Sequence, residues 1–361
     1  MDTTEQSKSP LVSVLVPVCN VEAYIARCAR SVLGQTYSNL EFIFVDDGCT
    51  DSSIDILKAI IDESSRHQNK CTIIHHDQNK GLAAARNTAM DNCHGDFVFH
   101  VDSDDWVEPD AIKLLVNKQQ ETGADIVYTR GYYKHDKDTM RVDCHGWSND
   151  KDSTLANILQ DKATICVWSK LIKRNLYTDN TIECDEQGSF YEDYQLLTRL
   201  VYYSRKMACL DAFIYHYDRS NPISICSNIA KSIDIQKQGL RSILAVRDFF
   251  QDKGQRYLEL VNRFYLCYAN NMLNTNFYQR NKNGFDEFLQ LIKKTDRKDW
   301  HVIGWDKPFK KMKESHYHLR TLFLFIRRVQ RKVKQAYRSP LFASSYKSRI
   351  RAGILCHWLL C

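Results

Sequence analysis

Phe97-Val98-Phe99-His100-Val101-Asp102-Ser103-Asp104-Asp105-Trp106 is the stretch that decides the fold. An apolar run of the kind that suits a buried strand stops in three carboxylates within four residues. Carboxylates at the end of such a strand are costly unless positive charge meets them. A divalent cation carrying a phosphate-bearing ligand satisfies that need, because Mg²⁺ and Mn²⁺ favour one or two carboxylates plus phosphate oxygens. A plainer reading also fits: an Asp-rich turn, with Glu108-Pro109-Asp110 opening the next helix. The neighbouring elements decide between the two.

Upstream, Leu11 to Pro17 reads as a buried strand, and Glu22 to Leu33 carries helical periodicity. Phe42 to Val45 reads as a strand ending in Asp46-Asp47-Gly48, followed by a helix over Asp51 to Ile61 capped by Asp51 or Ser52. A strand at Thr72 to His75 and an Ala-rich helix over Gly81 to Met90 follow. The strand of the opening stretch covers Asp96 to Val101. A helix over Pro109 to Gln120 and a fifth strand at Ile126 to Tyr128 complete this part. Alternation of this kind predicts an α/β fold with a mostly parallel central sheet. Ligands in such sheets bind beyond the carboxyl ends of the strands. Polar residues gather there: Asn20 and Glu22, then Asp46 and Asp47, then Asp102 and Asp104. Neither G-x-G-x-x-G nor G-x-x-x-x-G-K-[ST] occurs, so phosphate charge must be met by metal and side chains.

Five segments in order now carry a resemblance: Pro17 to Glu22, Ser31 to Thr36, Val45 to Asp51, Asn79 to Asn87, and Asp102 to Asp105. Together they resemble the successive motifs of family 2 glycosyltransferases of the GT-A fold, over roughly residues 11 to 225. The departures are Cys19, where an aromatic residue is commoner, and Cys49, where Ser is commoner. The resemblance implies a nucleotide-sugar donor, usually a UDP-sugar, and a divalent metal, Mn²⁺ or Mg²⁺. It sets Pro17, Asn20, Glu22, Asp46, Asp47, Gly81, Arg86, Asp102 and Ser103 around the nucleotide-sugar, with Glu22 and Asp46 beside uracil and ribose and Arg86 near the donor phosphates or sugar. It gives the metal to Asp104, with Asp102 alongside. Structural alternatives stand beside these roles: Glu22 as a helix N-terminal acid, Arg86 as a packing salt bridge.

Further on, Tyr132 to Asp152 is polar without a clean period and reads as a loop or insertion. Ile165 to Ile172 resembles the family's Trp-x-Lys-Leu segment, which places Trp168 and Lys170 on the acceptor side; a core anchor is the other reading of Trp168. In Phe190 to Leu197 two adjacent acids precede a helix. By the resemblance they supply the catalytic base, Asp193, with Glu192 as a positioning neighbour; the reverse assignment stays open. An inverting transfer needs one carboxylate to take the acceptor proton while the sugar is attacked opposite UDP. Ala212 to Arg219 resembles the closing strand and Ser220 to Ile225 a loop over the donor; His216 reads first as a half-buried strand residue and otherwise as a pyrophosphate contact, and Arg219 as a pyrophosphate contact or a surface cation. The Gln-x-x-Arg-Trp motif of processive synthases is absent, so one sugar per acceptor is expected.

The net charge of +6 hides an asymmetry. From Lys307 onward 14 Lys or Arg face one acid, Glu314, and the preceding 306 residues hold 36 bases and 43 acids. Within that tail, His318 to Arg338 reads as a basic amphipathic helix, and Ile350 to Cys361 adds an apolar, Trp-bearing end. This composition suits the surface of an anionic membrane; a solvated helix, a partner-binding helix and an RNA-binding arm are its rivals. The 13 cysteines, odd in number and without a Cys-x-x-Cys pair, read as reduced small apolar residues of a cytosolic protein. No run of about 20 apolar residues predicts a spanning helix.

The predicted organisation is a disordered N-terminus over 1–10 and a catalytic domain over 11–235, with a nucleotide half (11–130) and an acceptor half (131–235). A helical region over 236–305, with a linker at Trp300 to Pro308, and a membrane-associating tail over 306–361 follow. The expected activity is metal-dependent, inverting transfer of one sugar to a saccharide hydroxyl, lipid-linked, at the inner face of the cell membrane, with no nucleic acid partner. A nucleotidyltransferase is the nearest rival enzyme, and a nucleotide-sugar-binding protein without turnover is the rival of another class.

Overall fold

The computed structural model describes residues 9–64, 68–187, 190–222, 224 and 233–274. The expected linker at Trp300 to Pro308, the basic helix over His318 to Arg338 and the apolar end lie outside the described residues, as do residues 1–8 and most of the expected loop over the donor.

Strand β1 (Val12–Val18) is buried along its whole length, and β2 (Leu40–Asp46) nearly so. Strands covered by helices on both faces have this continuous apolar character. Helix α1 (Ile25–Leu33) buries Ile25, Cys28, Ala29, Val32 and Leu33, the one-faced spacing that seats an amphipathic helix on a sheet. Helix α2 (Ser53–Glu63) begins where Asp51 Oδ1 accepts the Ser53 amide at 3.0 Å. The first-turn donor is thus met from the residue before the cap. After β3 (Cys71–His75), helix α3 (Leu82–Asp91) turns Ala83, Ala84, Ala85 and Ala89 inward, and small side chains let it lie close to the sheet. Strand β4 (Phe97–His100) is wholly buried, as the opening stretch predicts.

The chain then forms β5 (Trp106–Val107), α4 (Ala111–Thr122), β6 (Ile126–His135), β7 (Thr139–Asp143), α5 (Lys151–Leu159), β8 (Lys170–Lys173), α6 (Arg174–Thr178), α7 (Glu192–Tyr203) and β9 (Met207–Asp218). The strands make one nine-stranded sheet in the order β3-β2-β1-β4-β8-β6-β9-β5, with β7 paired to β6. Strands β1, β2, β3, β4, β6 and β9 run one way; β5, β7 and β8 run against them. The α/β architecture with a mostly parallel sheet is therefore the one the sequence predicts.

One segment differs from expectation. Residues 132–143 are not a loop: β6 runs on to His135 and returns as β7, with Tyr132 opposite Val142 and His135 opposite Thr139. Strand β7 is exposed over most of its length, so its residues carry no apolar alternation from which a strand could be read.

Contacts divide the chain at Tyr265, and of the second unit only residues 266–274 are described. The helix Ile233–Phe249 lies in the first unit and is fixed to the start of α7, where Gln195 Nε2 donates to Ser242 Oγ at 2.9 Å. A second helix spans Gln255–Asn274. Among the described residues no helix is long and apolar enough to cross a membrane.

Candidate active site

Parallel pairing brings the ends of β1 and β2 level, Val18 opposite Asp46 and Asp46 opposite His75. Asp46 Oδ1 accepts the Cys49 amide at 2.8 Å, and Oδ2 meets His75 Nδ1 at 2.8 Å. Burial alone would raise the Asp46 pKa; the Cys49 amide and His75 outweigh it and hold the carboxylate below its ordinary range. Asp47 is engaged otherwise. Its Oδ1 accepts the Lys80 amide at 2.8 Å and contacts His76 Nδ1 at 2.8 Å, while Oδ2 accepts the Gly81 amide at 2.8 Å. Asp47 thereby ties the 79–81 turn to the sheet, and both oxygens are taken up by protein. Gly48 passes so near that turn that a Cβ would sit 2.5 Å from the Asn79 nitrogen, and its φ is +66°. Gly81 itself has φ 94°, a conformation that side chains disfavour.

Glu22 and Asn20 tie the loop after β1 to the loop after β2. Glu22 Oε2 accepts the Ser52 amide at 3.0 Å, its own amide donates to Asp51 Oδ2 at 3.0 Å, and Asn20 Oδ1 accepts the Thr50 amide at 2.8 Å. Pro17 lies buried within β1, opposite Val45.

Tertiary contacts sort the three acids of the decisive stretch. Asp105 is internal: Oδ1 accepts the Asp218 amide at 2.7 Å and Oδ2 the Tyr215 hydroxyl at 2.8 Å. Asp102 and Asp104 are partly exposed, with buried Ser103 between them. The Asp102 amide donates to the Tyr215 hydroxyl at 3.1 Å. Asp104 Oδ2 accepts from Asn221 at 2.9 Å, and its carbonyl accepts from Arg27, which also holds Asp218 at 2.6 Å. Burial, and then the charge of Asp102, push the Asp104 carboxyl up to about 6. A cation held between the two would relieve the repulsion that Asp102 exerts on Asp104.

Arg86, on α3, is 2% exposed, and its Nη2 is shared among three acids. It lies 3.0 Å from Asp102 Oδ1, 3.4 Å from Glu192 Oε1 and 3.7 Å from Asp193 Oδ1. The guanidinium is buried and faces carboxylates, because the start of α7 delivers two acids to it beside Asp102. Burial works against its charge, but Asp102, Asp193 and Glu192 outweigh burial and hold it firmly protonated. Burial and the charge of Asp193 raise the Glu192 pKa, while Arg86 opposes them. Asp193 is raised too, by burial first, against the pull of Arg86 and of the nearby Val167 amide. Among the described residues, Arg86 Nε and Nη1 and Asp193 Oδ1 are buried without a hydrogen-bond partner.

The expected acceptor residues lie deeper. Trp168 is 7% exposed and stacks on Tyr215 at 4.3 Å between centroids. Lys170 is buried, donates to the Cys166 carbonyl at 2.7 Å and lies over the Trp147 ring. Trp168 has the burial of the core-anchor reading, and Lys170, read on the acceptor side alone, is carried inward by the same apolar run with backbone carbonyls meeting its charge. His216 bonds Glu108 at 2.9 Å and His135 at 3.0 Å. Sequence reasoning missed Arg27, Tyr215 and Asn221, which brace the acids. Only Asn221 had a signal, its place in the segment read as the donor loop.

A model of glycosyl transferase family 2 matches residues 13–178. The chain is 34% identical to the glycosyltransferase GlyA of Streptococcus pneumoniae, over 57% of this chain and 30% of the relative. It is 30% identical to the glycosyltransferase GlyG of the same organism, over 54% of this chain and 68% of the relative. The chain thus spans under a third of GlyA. The structure of S. aureus TarS 1–349 in complex with UDP-GlcNAc matches at TM-score 0.62 and 18% identity, over 91% of each chain. That likeness shows a shared fold.

Proposed function

The chain belongs to glycosyl transferase family 2, and on that premise we propose that it moves one sugar from a UDP-sugar to a hydroxyl of a saccharide acceptor, with inversion at the anomeric carbon. The observation that carries this reading is the Asp193–Glu192 pair, Glu192 buried and Asp193 half-buried, gathered by Arg86 against Asp102 at the end of β4. The rim of β1 and β2 holds the Asp46 and Glu22 carboxylates in place through the Cys49 and Ser52 amides, and this rim is the side of the centre given to the nucleoside. The fold neighbour TarS, solved with UDP-GlcNAc, supports a UDP-sugar as donor.

In this reading Asp193 takes the proton of the acceptor hydroxyl, and Glu192 and Arg86 hold it in place. The acceptor oxygen bonds to C1 from the face opposite UDP. The bond from C1 to the β-phosphate oxygen breaks, and its electron pair leaves on UDP. Asp104 and Asp102 fit a divalent metal, Mn²⁺ or Mg²⁺. They are two partly exposed carboxylates, of which Asp104 is raised by burial first and then by the Asp102 charge, and two carboxylates leave room for phosphate oxygens in a hard cation's shell. When bound, the metal neutralises charge on the departing UDP.

A lipid-linked acceptor in surface-polysaccharide synthesis at the inner membrane face belongs to the same proposal. It rests on the basic tail over 306–361, whose charge suits an anionic membrane surface. Deleting residues from His318 onward is expected to abolish sedimentation with anionic liposomes; unchanged sedimentation sinks that part alone. The catalytic part is tested by UDP release from a panel of UDP-sugars, with and without Mn²⁺. Metal-dependent release from one donor is expected; no release and no binding of any UDP-sugar overturns the reading.

A further inference from the structure

The Glu192–Asp193 pair follows a turn with a strained backbone. Tyr191, the residue before Glu192, sits at φ 66° and ψ 26°, a left-handed conformation that a bulky side chain seldom adopts. Helix starts are commonly led by an extended Ser, Thr, Asp or Asn instead. A residue held this way persists only where its surroundings over-determine it. The helix Ile233–Phe249 supplies those surroundings. Its Ser242 Oγ donates to the Phe190 carbonyl at 2.6 Å, one residue before Tyr191, and accepts from Gln195 Nε2 at 2.9 Å, in the first turn of α7. Gln195 Oε1 accepts the Asp185 amide at 2.8 Å, and the Gln195 amide donates to the Tyr191 carbonyl at 3.2 Å. Ser242 and Gln195 are both fully buried. The Tyr191 and Tyr194 rings pack on Phe264, at 6.0 Å and 5.3 Å between centroids. One hydroxyl thus brackets residues 190–195, with Glu192 and Asp193 inside the bracket.

We propose that Ser242 is a positioning residue for the transfer: through Phe190 and Gln195 it fixes the turn that holds Glu192 and Asp193 against Arg86. The separations from Arg86 Nη2, 3.4 Å to Glu192 Oε1 and 3.7 Å to Asp193 Oδ1, depend on where and at what angle α7 begins. Ser242 acts through the turn and not on the reacting atoms. Without its hydroxyl the Phe190 carbonyl and the Gln195 side chain each lose a buried partner. Tyr191 then relaxes toward ordinary backbone and carries the acids with it. A shift of about 1 Å at a reacting group costs about 10²-fold in rate. This role rests on the transferase reading above, and hydrogen exchange gives it a readout that needs no turnover.

Ser242→Ala in the full chain, tested with the UDP-sugar panel and Mn²⁺, should lower kcat for UDP release about 10²-fold, with UDP affinity by calorimetry unchanged. Ser242→Thr keeps the hydroxyl and should recover most of that rate. The amides of residues 190–195 should exchange faster in Ser242→Ala, while those of β1 and β4 exchange as in the parent. Circular dichroism checks that the variant is folded. If it is not, Gln195→Met, which keeps the volume and removes the amide, carries the same expectations. An unchanged kcat, or unchanged exchange at residues 190–195, overturns the proposal. So does a fall in UDP affinity that matches the fall in kcat, or a Ser242→Thr variant as slow as Ser242→Ala, because either marks a merely structural role. If the parent releases no UDP from any sugar, the transferase reading fails and this role with it; unchanged exchange beside an active parent sinks the bracket alone.

Discussion

Asp193 Oδ1 lies 3.7 Å from Arg86 Nη2, buried and without a hydrogen-bond partner among the described residues. A carboxylate oxygen is thus kept beside a positive charge but not bonded to it, and it stays available to accept a proton.

Arg86→Gln removes the charge shared by Asp102, Glu192 and Asp193. Breaking a buried ion pair costs about 3–5 kcal/mol, so the melting temperature should fall sharply together with UDP release. Arg86→Lys should restore little, because an ammonium cannot replace the planar fork. Were Arg86 a phosphate contact instead, donor KM would rise with melting temperature unchanged; differential scanning fluorimetry beside donor kinetics separates the two.

Asp193→Asn should lower transfer by about 10²–10⁴-fold, the usual contribution of a positioned base, with UDP binding by calorimetry preserved. Glu192→Gln should cost less. If Glu192→Gln proves the more damaging change, the roles of the two acids are reversed.

The Glu192 pKa is pushed up to about 8, by burial first and then by Asp193. A carboxyl raised in the folded state holds its proton more tightly there than in the unfolded chain. Its contribution therefore opposes folding as pH climbs from about 4.5, the ordinary Glu range, toward 8. Glu192→Gln should show a stability gain over the parent that is absent near pH 4 and grows up to about pH 8. Urea unfolding at several pH values measures it, and a pH-independent difference would contradict the cause given.

Asp104→Ala should remove the Mn²⁺ dependence of UDP release and weaken Mn²⁺ binding in calorimetry with UDP present. Asp105→Ala, at the neighbouring acid, should act on the fold instead. It strips partners from the buried Asp218 amide and Tyr215 hydroxyl, a loss of about 1–3 kcal/mol each.

Asp47→Ala leaves the Lys80 and Gly81 amides without their acceptor. Stability should drop by about 1–3 kcal/mol for such unmet donors, and donor KM should rise only through the displaced turn. Asp46→Ala should raise the KM for the UDP-sugar with a smaller change in melting temperature.

The amino-acid sequence by itself determined the alternation of strands and helices and the parallel half of the sheet. Its runs are buried on both faces, and their apolar character survives in one dimension. It also determined where the polar residues would gather, because strand ends are local features: Asn20, Asp46 and Asp102 are all legible that way. The hairpin of β6 and β7 escaped because the exposed face of β7 has no apolar pattern. Only the tertiary structure decided how the acids divide their work. Asp105 is held inside by the Tyr215 hydroxyl, 110 residues away, and Asp47 is taken up by the 79–81 turn. Arg86 meets Glu192 across 106 residues, and a contact of that separation leaves no trace in local spacing. The same holds for Trp168, whose burial against Tyr132 and Tyr215 depends on which strands are neighbours in the sheet.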